Sequence, residues 1–246
     1  MHRSTAEHAA EFHMNGFTLM RGALQAEEVE LLRTGVLNAM EGPGDGYRPG
    51  LRTRMFEKGE PFQRLIMQPG VVDLAEALLG PKCHMFAMNA MHTPRGGGID
   101  NWHVDEELHI PLPEGVSLDP RIQMPTYLIT CMYYLVDVTE TMGPTQVIPG
   151  SHRSGQEPKA DDPSPVYKGQ GPVSILAKQG DCLIFTGQLW HRGARNESDE
   201  ARVVQQVMYG KRWIAQRFYP FVNYQMPQEI VERWKDHPRM SRLLGM

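Results

Sequence analysis

From Lys82 onward the chain is a succession of short β-rich runs: CHMFAMNAMH, IDNWHVDEELHI, PTYLITCMYYLVDV, TQVIPG, GPVSILA, GDCLIFTG and RVVQQVMYG. No helical stretch separates them, and turn signals fall between them at Gly143-Pro144, Pro149-Gly150 and Gly180-Asp181. Short strands in succession without intervening helices predict a sandwich or closed barrel such as a jelly roll. The fold class expected is therefore mainly β, with helices confined to the flanks.

Those helices are legible before Lys82. Gly16 to Leu24 reads as a strand around Phe17, Leu19 and Met20, and Gln25 to Met40 places Val29, Leu32, Val36 and Met40 at helical spacing. Val71 to Leu79 predicts a second helix, stopped by Gly80 and Pro81. The glycines and prolines of EGPGDGYRPGLRTRMFEKGE argue against any regular element there, and Ser151 to Gly171 reads as a polar surface loop or lid. The tail IVERWKDHPRMSRLLGM predicts one short helix. At 246 residues the chain suits one domain over 1–246. Its parts would be a helical region over about 1–80, a barrel core over about 82–215 and a tail over about 216–246.

Charge and cysteine content restrict the partners. A formal net charge of -4 gives no positive field for a polyphosphate backbone, so no nucleic acid is expected. Cys83, Cys131 and Cys182 are odd in number and far apart, which encodes neither a disulfide framework nor a zinc cage and suits a cytoplasmic setting. The first residues, MHRSTAEHAAEFHMNGF, lack the apolar core of a signal peptide, and no apolar run approaches the length of a membrane span. A soluble protein acting on a small molecule is the expectation; the oligomeric state is open.

Within Asn101-Trp102-His103-Val104-Asp105, period-two geometry points His103 and Asp105 to one face. Downstream, LIFTGQLWHRGA places His191 just after a strand, where a third ligand could complete a facial triad. Two imidazoles and one carboxylate on one side of a cation leave the other side open, as expected of non-haem iron(II) oxygenases. His-x-Asp alone is short and common, and a histidine is more often an ordinary core or surface residue. Arg202 adds weight: it lies eleven positions after His191, in the next strand, where it could pair bidentately with the far carboxylate of a metal-chelating dicarboxylate.

With NGFTLMRGAL near the start, HVD at 103–105, MGPTQVIPGSH at 142–152, WHRGARNESDEAR at 190–202 and RLLG at 242–245, the chain resembles the phytanoyl-CoA dioxygenase family. The resemblance covers almost the whole chain. It implies a double-stranded β-helix, a cupin-like jelly roll with helices packed outside, and an iron(II) oxygenase that consumes 2-oxoglutarate and dioxygen. It also implies that His103, Asp105 and His191 hold the metal and that Arg202 holds the cosubstrate. Thr145 matches a position that donates a hydroxyl to the cosubstrate in some members, and Asn101 a polar position near its keto-acid end. Many relatives have a serine two residues after the distal histidine; here it is Gly193, so that hydrogen bond must be absent or replaced.

Other residues stay open. Glu106 and Glu107 are alternative carboxylates, although the family pattern favours Asp105. His92, His109 and His152 read as non-ligands. Met88, Met91, Trp102, Tyr133 and Tyr134 could line a substrate pocket, but apolar and aromatic residues on strands are more often simple core. Lys211, Arg212 and Arg217, near Trp213, Phe218 and Tyr219, suit an anionic substrate but equally a solvated face. Selectivity is expected in loops 41–60, 106–124, 151–171 and 209–223. The competing functions are a non-catalytic binding module on the same barrel and a zinc-dependent hydrolase.

Overall fold

The computed structural model describes residues 3–44, 48–159, 162–218 and 224–246. Its strands form two antiparallel sheets. The larger runs in the order β1 (Phe17–Met20), β8 (Cys182–Thr186), β5 (Leu128–Tyr134), β10 (Arg202–Gly210), β3 (His84–Thr93) and β2 (Leu51–Arg52). The smaller runs β4 (Ile99–His103), β9 (His191–Gly193), β6 (Thr145–Val147) and β7 (Val173–Ile175). This is a jelly roll of the double-stranded β-helix type, mainly β with flanking helices.

The larger sheet is covered on both faces, and strand alternation sorts its side chains between them. On one face Ile129, Cys131 and Tyr133 of β5 and Val203, Val207 and Tyr209 of β10 join a core with the helices. On the other, Met132 and Tyr134 of β5 and Val204 of β10 meet Val147 and Ile175 of the smaller sheet. Each such apolar side chain contributes roughly 1.5–3 kcal/mol through burial. The same parity turns Arg202, Gln206 and Met208 toward the space between the sheets, where all three line a cavity.

Helices α1 (Thr5–Asn15), α2 (Ala26–Glu41), α3 (Glu60–Leu65) and α4 (Val71–Leu79) precede the main run of strands. Helix α1 starts at a Ser4–Glu7 capping box, and α2 buries Val29, Leu32 and Val36. Helix α4 occupies the expected span. Two expectations need correction. The segment 41–60 is not free of regular structure: β2 pairs with β3, with Leu51 opposite Met91, and Met55–Lys58 form a buried 3-10 turn. Leu51, Met55 and Phe56 supply the apolar anchors that outweigh the surrounding glycines. The tail forms two helices rather than one, α5 (Gln228–Trp234) and α6 (Pro238–Leu243), because Pro238 restarts the helix at its favoured first position. Trp234 Nε1 and Arg233 both donate to Gln63 Oε1 at 2.8 Å, tying the tail to α3. No helix among the described residues is long and apolar enough to cross a membrane.

Loop 151–171 is held to the outside of the smaller sheet, which removes it as a lid. Trp190 Nε1 donates to Gln156 O at 2.7 Å and Trp102 Nε1 to Pro163 O at 3.2 Å. At its start His152 is buried beneath Gly16, the left-handed C-cap of α1 (φ 84°). A Cβ at Gly16 would lie 2.7 Å from His152 Nδ1, so the contact requires glycine.

Burial pulls the His152 pKa down to about 4. Between the ordinary histidine value of about 6.5 and that value the unfolded chain binds a proton that the folded chain does not, so stability falls as the pH falls through this window. The contribution lost is on the order of 3 kcal/mol. Urea unfolding at a series of pH values should give a shallower acid loss for His152→Gln than for the parent; parallel curves would remove His152 as the cause.

Candidate metal centre

Three side chains able to hold a metal ion converge at the mouth of the jelly roll. His103 ends β4 and His191 begins β9, directly opposite each other in the ladder, with ring centroids 4.3 Å apart. Asp105 reaches them from beyond the strand end. Its amide donates to Gly187 O at 2.8 Å, so a pinned turn, rather than strand alternation, aims its carboxylate. Asp105 Oδ1 lies 3.4 Å from His191 Nε2 and 3.8 Å from His103 Nε2, and one ligand atom from each residue lies within 4.8 Å of the others.

The second nitrogens fix the rings. His103 Nδ1 is 2.9 Å from Asn101 O, and His191 Nδ1 is 2.8 Å from Leu189 O. A carbonyl can only accept, so each Nδ1 carries the hydrogen and each Nε2 presents its lone pair to the shared point. That donor set, two imidazole nitrogens and a carboxylate on one side, fits a divalent cation with open positions.

The electrostatics agree. Burial lowers the His103 pKa, and the neighbouring His191 lowers it further. Loss of solvation is the largest single influence and acts against ionised Asp105, but His191, His103 and Arg217 together outweigh it and hold the carboxyl below its usual range. Burial likewise acts against protonated His191, and Asp105 together with the Leu189 carbonyl outweighs it, raising the pKa.

The centre opens into a cavity of about 490 Å³ that Arg202 also lines. Arg202 is 2% exposed, donates to Gly143 O, and has Thr145 Oγ1 at 3.5 Å; its Nε has no partner. Burial lowers its pKa, and among the described residues the opposing influence is Tyr134, not a carboxylate. Such a guanidinium fits an anion brought from outside.

Thr145 lines the same cavity and sits opposite Gly193 in the β6–β9 pairing. A Cβ at Gly193 would lie 3.1 Å from an Arg202 nitrogen, so a side chain there would crowd the guanidinium. The hydroxyls beside Arg202 come instead from Thr145 and from Tyr134, whose Oη donates to Thr145 Oγ1 at 3.1 Å. Tyr134's place here was not apparent from its apolar run; only its parity with Met132 hinted at it.

Asn101 falls outside the cavity. Its side chain is exposed, and its carbonyl, rather than its amide, serves the centre by orienting His103. Glu106 does line the cavity, with Oε2 3.1 Å from His109 Nε2, and is not part of the three-residue cluster. Of the apolar pocket candidates, Met91 lines the cavity; Met88 and Tyr133 belong to the helix-side core and Trp102 to an outer cluster. From the selectivity loops, Arg48, Thr53, Glu106 and Arg217 line it, as does Leu51; among the described residues 151–171 supply none.

Comparison with known proteins agrees with the geometry. A fungal dioxygenase, af480 of Aspergillus fumigatus, is 24% identical over 188 residues, covering 75% of this chain and 55% of that protein. An ectoine dioxygenase of Bordetella bronchiseptica is 26% identical over 208 residues, covering 75% and 65%. The chain therefore spans less than two thirds of the length of either relative. The epimerase SnoN, solved with Fe3+, alpha-ketoglutarate and nogalamycin RO, shares the fold, with a TM-score of 0.65, 20% identity, and coverage of 84% of this chain and 83% of that one. The sequence profile described as phytanoyl-CoA dioxygenase (PhyH) matches residues 12–204, and the chain belongs to that family.

Proposed function

We propose that the protein is an iron(II)- and 2-oxoglutarate-dependent dioxygenase that hydroxylates a small organic metabolite. The observation that carries this reading is the pairing, in one cavity, of a His103–Asp105–His191 donor triangle with a buried Arg202 that has no acidic partner among the described residues. A zinc hydrolase would use the triangle and leave Arg202 without a task. The relatives' names, and the Fe3+ and alpha-ketoglutarate held by SnoN, support the same choice.

In this reading His103 Nε2, His191 Nε2 and an Asp105 oxygen hold the iron. Bound iron, with 2-oxoglutarate and dioxygen, supplies an oxidant for an unactivated C–H bond, with succinate and carbon dioxide as co-products. The chain's own work is placement. Arg202 takes the far carboxylate of the diacid through its unsatisfied N–H groups, strengthened by the low dielectric around it. Thr145, fixed by Tyr134, completes that end. Phe185, 4.9 Å from the His191 ring, and Met132 present apolar walls that limit water near the centre.

Two substitutions separate the roles. Asp105→Ala removes a ligand and its charge, so 2-oxoglutarate turnover should fall by at least about a hundredfold while the thermal midpoint stays near the parent's. Arg202→Gln should keep iron affinity within a few-fold of the parent but weaken 2-oxoglutarate binding by roughly 2–3 kcal/mol, read by anaerobic calorimetry. Parental turnover in Asp105→Ala would refute the metal assignment, and parental cosubstrate affinity in Arg202→Gln the cosubstrate assignment.

Metal uptake should also depend on pH in a definite direction. Asp105 raises the His191 pKa, so a proton competes with the cation further up the pH scale than it would for a free imidazole. Affinity should rise with pH through neutrality, with protons released on binding, as measured by titrations in buffers of different ionisation enthalpy. Binding without proton release near neutral pH would contradict the coupling.

A further inference from the structure

We propose that the substrate carries a lactam or cyclic imide, a flat group with an N–H beside a C=O, and that Gln206, seconded by Asn89, recognises it on the larger-sheet wall of the cavity. The proposal rests on the dioxygenase reading above and names the substrate class.

Two consecutive glutamines on β10 have opposite fates. Gln205 is fully buried, and its Nε2 donates to Asn89 O at 2.9 Å and to Gln206 O at 3.0 Å, so its amide is taken up in stitching the sheet. Gln206 points the other way, into the cavity, and is 8% exposed. Among the described residues its carboxamide has no hydrogen-bond partner. Enclosed polar groups are ordinarily matched, and an apolar side chain would serve the strand equally well, as Met208 does two residues on.

The neighbouring strands extend the pattern. Asn89 stands directly opposite Gln206 in the β3–β10 ladder and lines the same cavity; its Nδ2 has only Met208 Sδ, a weak acceptor, at 3.9 Å. Opposed residues bring their Cβ atoms to about 4.5–5.5 Å, so the two carboxamides lie side by side. Thr130 of β5, diagonal to Gln206 across the other ladder, adds a hydroxyl. The surrounding wall is Ala87, Met91, Met132 and Met208. From beyond Arg202 to Met208, these three strands turn no charged side chain to the cavity.

A carboxamide presents an N–H and a carbonyl oxygen along one edge, so it pairs through two parallel hydrogen bonds with any group that has the complementary edge. A lactam or imide has that edge, held flat and cis by its ring. Its carbonyl keeps a second lone pair for Asn89. A carboxylate only accepts and an ammonium only donates, so each leaves half of the edge unmatched and meets no opposite charge on this wall. The diacid does not compete for the position. Four residues of strand place the Gln206 backbone about 13 Å from that of Arg202, farther than a five-carbon diacid anchored there extends. The metal centre is built on the smaller sheet and opens into the same cavity, so a molecule seated on Gln206 lies in the space that the centre faces.

The test uses the full chain loaded anaerobically with iron(II) and saturating 2-oxoglutarate. Dihydroquinolinone, a bicyclic lactam, is compared with the lactone dihydrocoumarin, the hydrocarbon tetralin and naphthoate, which share its shape, and binding is followed by ligand-observed NMR. The lactam should bind about tenfold more tightly than the lactone and the acid. Gln206→Met, close in size, should bring the lactam down to the lactone's level while tetralin binds no more weakly, and Asn89→Leu should remove part of the preference. Stability separates recognition from a structural role. Gln206→Met should keep the thermal midpoint at or above the parent's, whereas Gln205→Met, which deprives two backbone carbonyls of a donor, should lower it by about 2–6 °C. A lactone or acid matching the lactam, no binding by any of the four, a preference surviving Gln206→Met, or a midpoint lowered as much by Gln206→Met as by Gln205→Met would overturn the proposal. Binding of iron(II) and 2-oxoglutarate is measured first. If it fails, the dioxygenase reading fails separately, and the same four probes titrated into the metal-free protein still read the wall, because neither carboxamide belongs to the metal centre.

Discussion

The arrangement depends on a buried guanidinium without a counterion. Removing an ion from water costs several kcal/mol even after relaxation, and a carbonyl and a threonine hydroxyl return only part of that to Arg202. The jelly roll sustains the difference because β10 is paired on both sides, to β5 and β3, and buried on both faces. A strand so constrained cannot turn Arg202 out to solvent without breaking two ladders. The unfavourable charge is therefore retained, and in the function proposed it becomes favourable when a diacid arrives.

The metal centre follows the same principle at lower stakes. Backbone carbonyls lock both imidazoles with Nε2 facing inward, so the geometry is preset before any cation binds. The Asp105–His191 contact, at 3.4 Å, sets the carboxylate beside the rings.

How much of this was legible depended on whether a signal is local. The strands announced themselves through alternation and turns, and helix α4 through Gly80 and Pro81, because each is decided within a few residues. Arg202's inward orientation followed from its parity with Val204 along β10. The two-residue strand β2 was hidden, because Leu51 pairs only through Met91, forty residues away. Asp105 was identified for a partly mistaken reason, since the strand ends at His103 and Gly187 supplies the turn. The contact of the Asn101 carbonyl with His103 was not legible, because a sequence shows a side chain and not the direction of a carbonyl. Tyr134 looked like core because its role is expressed only through Thr145 on the other sheet.

Strand β10 bears Arg202 at its first residue and Met208 near its last, with a break in register against β3 between Met208 and Tyr209. The break falls beyond Met208, the last residue of β10 that lines the cavity. From Arg202 to Met208 the register with β3 is unbroken, so the distance from the guanidinium to the opposite wall is set by the rise of a single strand.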